Sequence, residues 1–121
     1  MEQQISDDAV AAAARMAEAL ETLERARGHL YSFHQLIGES DLALDGALEA
    51  LQEAGAGALA EEIERELVGR NVLPGRWTFQ VVEEFDDGYW SCFRDYERRV
   101  REQLVDGRRH LHEARMKAER R

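Results

Sequence analysis

The chain has 121 residues, of which 44% are hydrophobic and 34% charged, with one proline and a formal net charge of −9 at pH 7. This composition is typical of one globular, mostly helical domain, and it excludes an intrinsically disordered chain. The acidic balance opposes binding to nucleic-acid phosphates, and the N-terminus contains no secretory signal or apolar span. We therefore expect a cytoplasmic protein. Cys92 is the single cysteine, so no internal disulfide can form, and we expect it to be buried.

The first predicted helix runs from about Asp7 to Ile37. Ser6 or Asp7 can cap its N-terminus, and Gly38 is predicted to end it. At 100° per residue one face collects a mostly apolar stripe. Its members are Met16, Leu20, Leu23, Leu30, His34 and Ile37.

Two shorter helices are predicted to follow. Ser40 can cap the first of them, which would end at Gly55 or Gly57. The second contains the apolar residues 59, 63 and 67, and Gly69 is its stop signal. The string RNVLPGR comes next, and Pro74 makes it the clearest predicted loop, because the residue before a proline is pushed out of the helical region.

The last predicted helix begins at Thr78 and extends toward Glu119. Its apolar residues keep one helical phase over several heptads. The stripe comprises Val82, Phe85, Tyr89, Phe93, Tyr96, Val100, Leu104 and Leu111. Gly88 and Gly107 are the candidate breaks, and a strand over Trp77 to Val82 is the alternative, because its apolar residues alternate there. The predicted fold is all-α: residues 1–121 form a single domain, an antiparallel bundle of about four helices with long first and last helices.

Aromatic residues are concentrated in one stretch. Seven of the nine lie within residues 77–96, and the other two are Tyr31 and Phe33. If the first and last helices pair antiparallel, His34 meets Asp86, and Tyr31 lies near Tyr89. We predict a contact between His34 and Asp86, since partly buried polar groups need partners. It would either fix the register of the helices or tune the imidazole as a base or ligand.

Arg76, Trp77 and Trp90 are residue types that anchor protein interfaces. Either the tryptophans cover one end of the bundle, or they form part of an exposed patch. Residues 98–121 contain nine bases and four acids, whereas residues 1–97 contain seven bases and 21 acids. A basic last segment can pack on acidic neighbours or on a second copy. We therefore expect a non-enzymatic module that binds itself, as a dimer, or another protein through the region from Trp77 to Trp90.

The alternative is a small-molecule or metal-binding domain built on His34, Asp86, Tyr31 and Tyr89. A magnesium-dependent hydrolase is one form of it. Two acidic pairs one helical turn apart support this form: Glu62 with Glu66, and Glu83 with Asp86 or Asp87. Such pairs resemble those with which nucleotide pyrophosphatases of the MazG kind hold magnesium, although Arg65 stands where that family's motif has its last glutamate. The sequence identifies no catalytic residue, and we expect no cofactor and no dedicated metal site.

Overall fold

The computed structural model describes residues 4–121, and the ordered structure in this range is helical. The α-helices are α1 (Asp7–Glu53), α2 (Gly57–Glu66), α3 (Thr78–Phe85), α4 (Ser91–Val105) and α5 (Leu111–Arg120), and a π-helical turn (Asp86–Trp90) joins α3 to α4. The prediction of an all-α fold is confirmed. The strand alternative for Trp77 to Val82 is wrong, because α3 begins at Thr78. The Gln80 side chain accepts a hydrogen bond from the Trp77 backbone N–H at 2.8 Å, as in a helix capping box.

Helix α1 begins where the sequence predicts and continues past the predicted end. The Ser6 hydroxyl accepts the Ala9 N–H at 3.1 Å, which confirms Ser6 as the N-cap. The predicted stop at Gly38 and the predicted cap at Ser40 are wrong, because both residues lie inside α1. A glycine inside a helix costs only about 1 kcal/mol relative to alanine, so packing along the whole face outweighs it.

The end of α1 confirms one of the predicted glycine stops. Gly55 has a φ of +81°, and the Ala56 N–H bonds to the Leu51 carbonyl at 2.8 Å, which is the Schellman pattern. Only glycine adopts this left-handed conformation without a steric penalty, so Gly55 fixes where α1 ends. Helix α2 ends at Glu66, three residues before Gly69, whose φ of +70° places it in the turn that follows.

The predicted loop around Pro74 is a tight turn. The Leu73 and Arg76 backbones are hydrogen-bonded to each other, with the Arg76 N–H 2.9 Å from the Leu73 carbonyl. Gly75 has a φ of +71°. Proline followed by a glycine with positive φ is the signature of a type II turn. The turn delivers the chain directly into α3.

The last predicted helix is interrupted once and distorted once. The distortion is the π turn, where the Ser91 hydroxyl donates to the Asp86 carbonyl at 2.5 Å. The interruption follows Val105, where Asp106 and Gly107 have φ values of +52° and +73°. Of the two glycines predicted as possible breaks, Gly107 interrupts the helix. Gly88 remains helical within the π turn.

The chain divides into two compact units. Unit 1 comprises the chain up to Arg27 together with Phe85–Arg121, and unit 2 comprises Gly28–Glu84. In unit 1 the contacts along α1 follow one another in the reverse of chain order. Asp86 bonds to Arg27, Trp90 to Glu24, and Arg115 to Asp7, and Val105 packs with Val10 and Ala13 in a small apolar core. The first half of α1 and the segment from Asp86 to Val105 therefore run in opposite directions.

Half-buried residues recur every seven positions along α1, so one face of the helix packs along most of its length. Half-buried apolar side chains recur at this spacing along the helix, namely Met16, Leu23, Leu30, Ile37, Leu44 and Leu51. A second position of the repeat carries the polar residues Arg27, His34 and Asp41. Each of these binds a later part of its own unit: Asp86, Thr78 and the Gly69 N–H respectively. Arg27 thus positions the π turn on α1 in unit 1, and His34 and Asp41 position the start of α3 and the turn after α2 on α1 in unit 2.

Few hydrophobic side chains are buried within residues 4–121. The buried ones are Val10, Ala13, Ala60, Val82 and Val105. Val105, in unit 1, is the largest of them that is completely enclosed.

Candidate functional site

Trp90 lies at the end of the π turn and is held by three charged side chains of unit 1. Its indole N–H donates to the Glu24 carboxylate at 2.5 Å. The guanidinium of Arg27 lies 3.8 Å from the ring centroid and that of Arg94 lies 4.6 Å from it. Both distances are within the range of cation–π attraction. The half-buried Trp90 ring thus belongs to the packing between α1 and the π turn.

Asp86 begins the same turn and forms a two-point ion pair with α1. Its carboxylate oxygens accept hydrogen bonds from the Nε and a terminal nitrogen of Arg27 at 2.8 and 3.0 Å. Both side chains are mostly buried, with 25% and 18% of their areas exposed. The planar guanidinium and the carboxylate match in geometry. The pair therefore holds the start of the π turn at a defined position on α1.

The π turn changes which residues face α1. A π-helical turn contains about one residue more than an α-helical turn, so the residues after it are rotated relative to the predicted stripe. The buried positions of α4 are Glu97 and Val105, whereas Tyr89, Tyr96 and Leu104 are 62%, 52% and 41% exposed. The prediction that these three lie on the buried face is wrong. Cys92 is also exposed, contrary to prediction.

Four aromatic side chains form a row on the surface of unit 1. The rings of Phe85 and Tyr89 have centroids 6.0 Å apart, and those of Tyr89 and Phe93 are 6.1 Å apart. Tyr96 continues the row one turn later, and Arg99 lies 5.0 Å from its centroid. We call Phe85, Tyr89, Phe93 and Tyr96 the aromatic stripe. Phe85 and Phe93 are half-buried, so the exposed rings of the stripe are the two tyrosines.

His34 belongs to unit 2 and is bonded to α3. Its Nδ1 lies 2.6 Å from the Thr78 hydroxyl, and Thr78 is 7% exposed. Asp86, the partner that the sequence predicts for His34, is bound by Arg27 in unit 1. The predicted contact between His34 and Asp86 stays a prediction. Tyr31 is 36% exposed in unit 2.

Arg76 and Trp77 lie at the start of α3 in unit 2. The Trp77 indole N–H donates to the Gly69 carbonyl at 2.9 Å, and 46% of the residue is exposed. The Nε of Arg76 bonds to Glu84 at 2.6 Å. The Trp77 ring therefore covers the turn after α2 and still presents about half of its surface to solvent.

An open groove of about 660 Å³ lies within unit 1 between α1 and α4. Its α1 wall is formed by Ala14, Ala17 and Leu20, and its α4 wall includes Arg94 and Arg98. At the α5 end, one ligand atom each from Glu21, His110 and Glu113 lies within 4.8 Å of the other two. These are the residues of unit 1 best placed to hold a metal ion.

No protein-family model matches the chain, and comparisons with the curated proteins and with the solved structures give no significant match. The chain's own geometry therefore carries the functional conclusion. Within residues 4–121, no helix combines the length and the apolar character that a membrane crossing requires.

Sequence reasoning missed Arg27, Glu24 and Arg94, which surround Trp90. Arg27 could have been identified from one sequence feature: it is a charged residue on the apolar face of the first helix, seven residues before His34. It also missed the grouping of Glu21 with His110 and Glu113. The spacing of His110 and Glu113, three residues apart on a helix, was the visible part of that signal.

Proposed function

We propose that this chain is a small cytoplasmic, non-enzymatic helical protein that forms a homodimer through the aromatic stripe of unit 1. The observation that carries the proposal is the exposure of Tyr89 and Tyr96 beside the packed rings of Phe85 and Phe93. Large aromatic side chains are enriched in the buried centres of interfaces. Two exposed tyrosine rings beside two half-buried phenylalanine rings form an aromatic patch that favours association.

The charges along the helix favour a twofold arrangement. Within unit 1, Asp87 lies near one end of the stripe and Arg99 near the other, and both are exposed, so the stripe lies between an acidic end and a basic end. Two copies packed antiparallel about Phe93 would place the acidic end of one beside the basic end of the other. Such an interface is isologous, as in most homodimers. Each unit 1 would contribute an antiparallel pair, and the dimer would complete a four-helix bundle.

Sedimentation velocity on the full chain tests the proposal. We expect the wild type to sediment as a dimer at micromolar concentration. Tyr89→Arg should sediment as a folded monomer, because it places a charge in the centre of the interface. Leu42→Arg is the matched control, since Leu42 is 71% exposed and lies in unit 2; it should remain dimeric.

Two results would contradict the proposal. One is a monomeric wild type at every concentration tested, which would leave the stripe to a different protein. The other is a Tyr89→Arg variant as dimeric as wild type, which would place the interface elsewhere. Circular dichroism of each variant checks that its helices are intact.

A further inference from the structure

Glu21, His110 and Glu113 bring three metal-ligating side chains together in unit 1. One ligand atom of each lies within 4.8 Å of the other two, and all three residues are exposed. Within the trio, His110 Nδ1 lies 3.8 Å from a Glu113 carboxylate oxygen. The three residues line the open groove beside α1 and lie outside the aromatic stripe.

The break after α4 creates this grouping. The chain turns at Asp106 and Gly107, and the Arg101 side chain holds the turn through a hydrogen bond of 3.1 Å to the Gly107 carbonyl. His110 is the N-cap of α5 with a φ of +58°, and the Ala114 N–H bonds to its carbonyl at 2.8 Å. The 3.8 Å between the His110 Nδ1 and the Glu113 carboxylate shows that the two side chains point toward each other across this cap.

The start of α5 is attached to α1 mainly through Leu111, which packs against the core of Val10, Ala13 and Val105. Arg115 adds a surface ion pair with Asp7 at 2.8 Å, which contributes little to stability. The Leu111 contact holds the backbone that carries His110 and Glu113 against the helix that carries Glu21. The trio is therefore assembled by the packing of unit 1.

From this geometry we infer that Glu21, His110 and Glu113 form a binding site for a divalent transition-metal ion of the zinc class. One imidazole and two carboxylates are ligands that zinc accepts, at about 2.0–2.2 Å from each donor atom. An imidazole nitrogen favours zinc over magnesium, which prefers oxygen ligands alone. Exposed side chains can close the remaining separation by small rotations.

The ion would have two effects. It would neutralise two carboxylates that lie close together, and it would link α5 to α1 through a third point. Three protein ligands also leave coordination positions for water or a small ligand. The ion would thus strengthen the attachment of α5 that Leu111 already provides.

Isothermal titration of the untagged full chain with zinc chloride tests the site. We expect one ion per chain, and no saturable binding of magnesium chloride under the same conditions. His110→Asn should weaken zinc binding about tenfold or more, and asparagine tolerates the left-handed backbone at this position. Glu21→Gln and Glu113→Gln should weaken it as well.

His112→Ala is the matched control, because His112 is an exposed neighbour outside the trio; it should bind zinc as the wild type does. Equal losses in His110→Asn and His112→Ala would overturn the assignment, as would the absence of saturable binding. One ion per two chains would also overturn it, since the ligands would then come from two copies.

Hydrogen exchange provides a readout that does not depend on affinity. Zinc should slow amide exchange in residues 111–120 of the wild type and leave it unchanged in Glu21→Gln, which lies on the other helix. Unchanged exchange in the zinc-bound wild type would refute the link between α5 and α1. Because Tyr89→Arg leaves the trio intact, it should bind zinc normally, so failure of the proposed dimer and failure of this site are distinguishable.

Discussion

The two sides of the segment from Asp86 to Val105 differ in both chemistry and surroundings. The side that faces α1 presents Asp86, Trp90 and Val105, and each of these has a defined partner on α1. Another side presents the aromatic stripe, in which Tyr89 and Tyr96 are more than half exposed. The α1-facing side thus combines charged groups with Trp90 and Val105, whereas two tyrosine rings face solvent.

The difference teaches that the packing of unit 1 depends on polar geometry more than on buried apolar area. Its apolar core is small, whereas the Arg27 and Asp86 pair and the indole of Trp90 are specific contacts that allow one register. Ion pairs of this kind specify arrangement better than they stabilise it. The aromatic stripe, by contrast, has apolar area and lacks a covering partner in one copy, which is the pattern of an interface.

Deletion of Gly88 should have the largest effect on this contrast. Removing one residue would turn the π turn into an α-helical turn and rotate α4 by about 100°. Asp86 and Val105 could then no longer face α1 together, so we expect a loss of at least about 4 kcal/mol in the free energy of unfolding. Urea denaturation measures it. Gly88→Ala is the control, because a β-carbon there meets nothing within 4 Å; equal stability of both variants would refute the role of the π turn.

Trp90→Ala and Tyr89→Ala compare the two sides directly. Trp90→Ala should lower the free energy of unfolding by about 2–3 kcal/mol, since it removes a half-buried ring and its contacts with two arginines. Tyr89→Ala should change it by less than about 0.5 kcal/mol. Both are measured by urea denaturation in a Tyr96→Arg background, which removes association. A larger loss for Tyr89→Ala would reverse the assignment of the two sides.

A double-mutant cycle on Arg27 and Asp86 should give a smaller effect. We expect a coupling energy of about 1–2 kcal/mol between Arg27→Ala and Asp86→Ala, because the pair is two-pointed and mostly buried. Thermal or urea unfolding of the four proteins measures it. Additive single effects would mean that the pair contributes nothing to the register of unit 1.

Gly38→Ala should have the smallest effect and the opposite sign. Gly38 is inside α1 with open space around its Cα, so alanine should raise the free energy of unfolding by about 0.5–1 kcal/mol. If α1 ended there in a left-handed conformation, as the sequence predicts, the substitution would instead lower it. The sign of the change therefore decides whether α1 is continuous.

Local signals in the sequence predicted the ends that depend on local chemistry. Ser6 and Gly55 act through their own hydrogen bonds or backbone angles, so each is visible in a few residues. Gly38 and Ser40 are the same residue types that end and cap helices, but α1 continues through both of them. Contacts along the remaining face of α1 decide against them, and those contacts involve residues far away in the chain.

For the candidate functional residues, too, local features could be predicted from the sequence and long-range contacts could not. The concentration of aromatic residues was visible in the sequence, and Tyr89 was named as a candidate from it, but as part of a face turned toward the first helix. Its exposure was not predicted. The one-residue offset of the π turn was not visible, because it depends on how Asp86 and Trp90 both fit α1. The metal trio combines residues 89 positions apart, Glu21 and His110, and it exists only because the chain turns back at Gly107.

An intermolecular distance measured from Cys92 tests the central claim most directly. Cys92 is exposed, is the single cysteine and adjoins Phe93, so a spin label can be attached without a mutation. Two copies packed antiparallel about Phe93 would separate the labels by roughly 15–25 Å, from the 8–10 Å between packed helix axes plus the reach of both labels. Double electron–electron resonance should show a narrow distribution in this range, which Tyr89→Arg abolishes. A longer distance, or one that survives Tyr89→Arg, would contradict a dimer formed through the aromatic stripe.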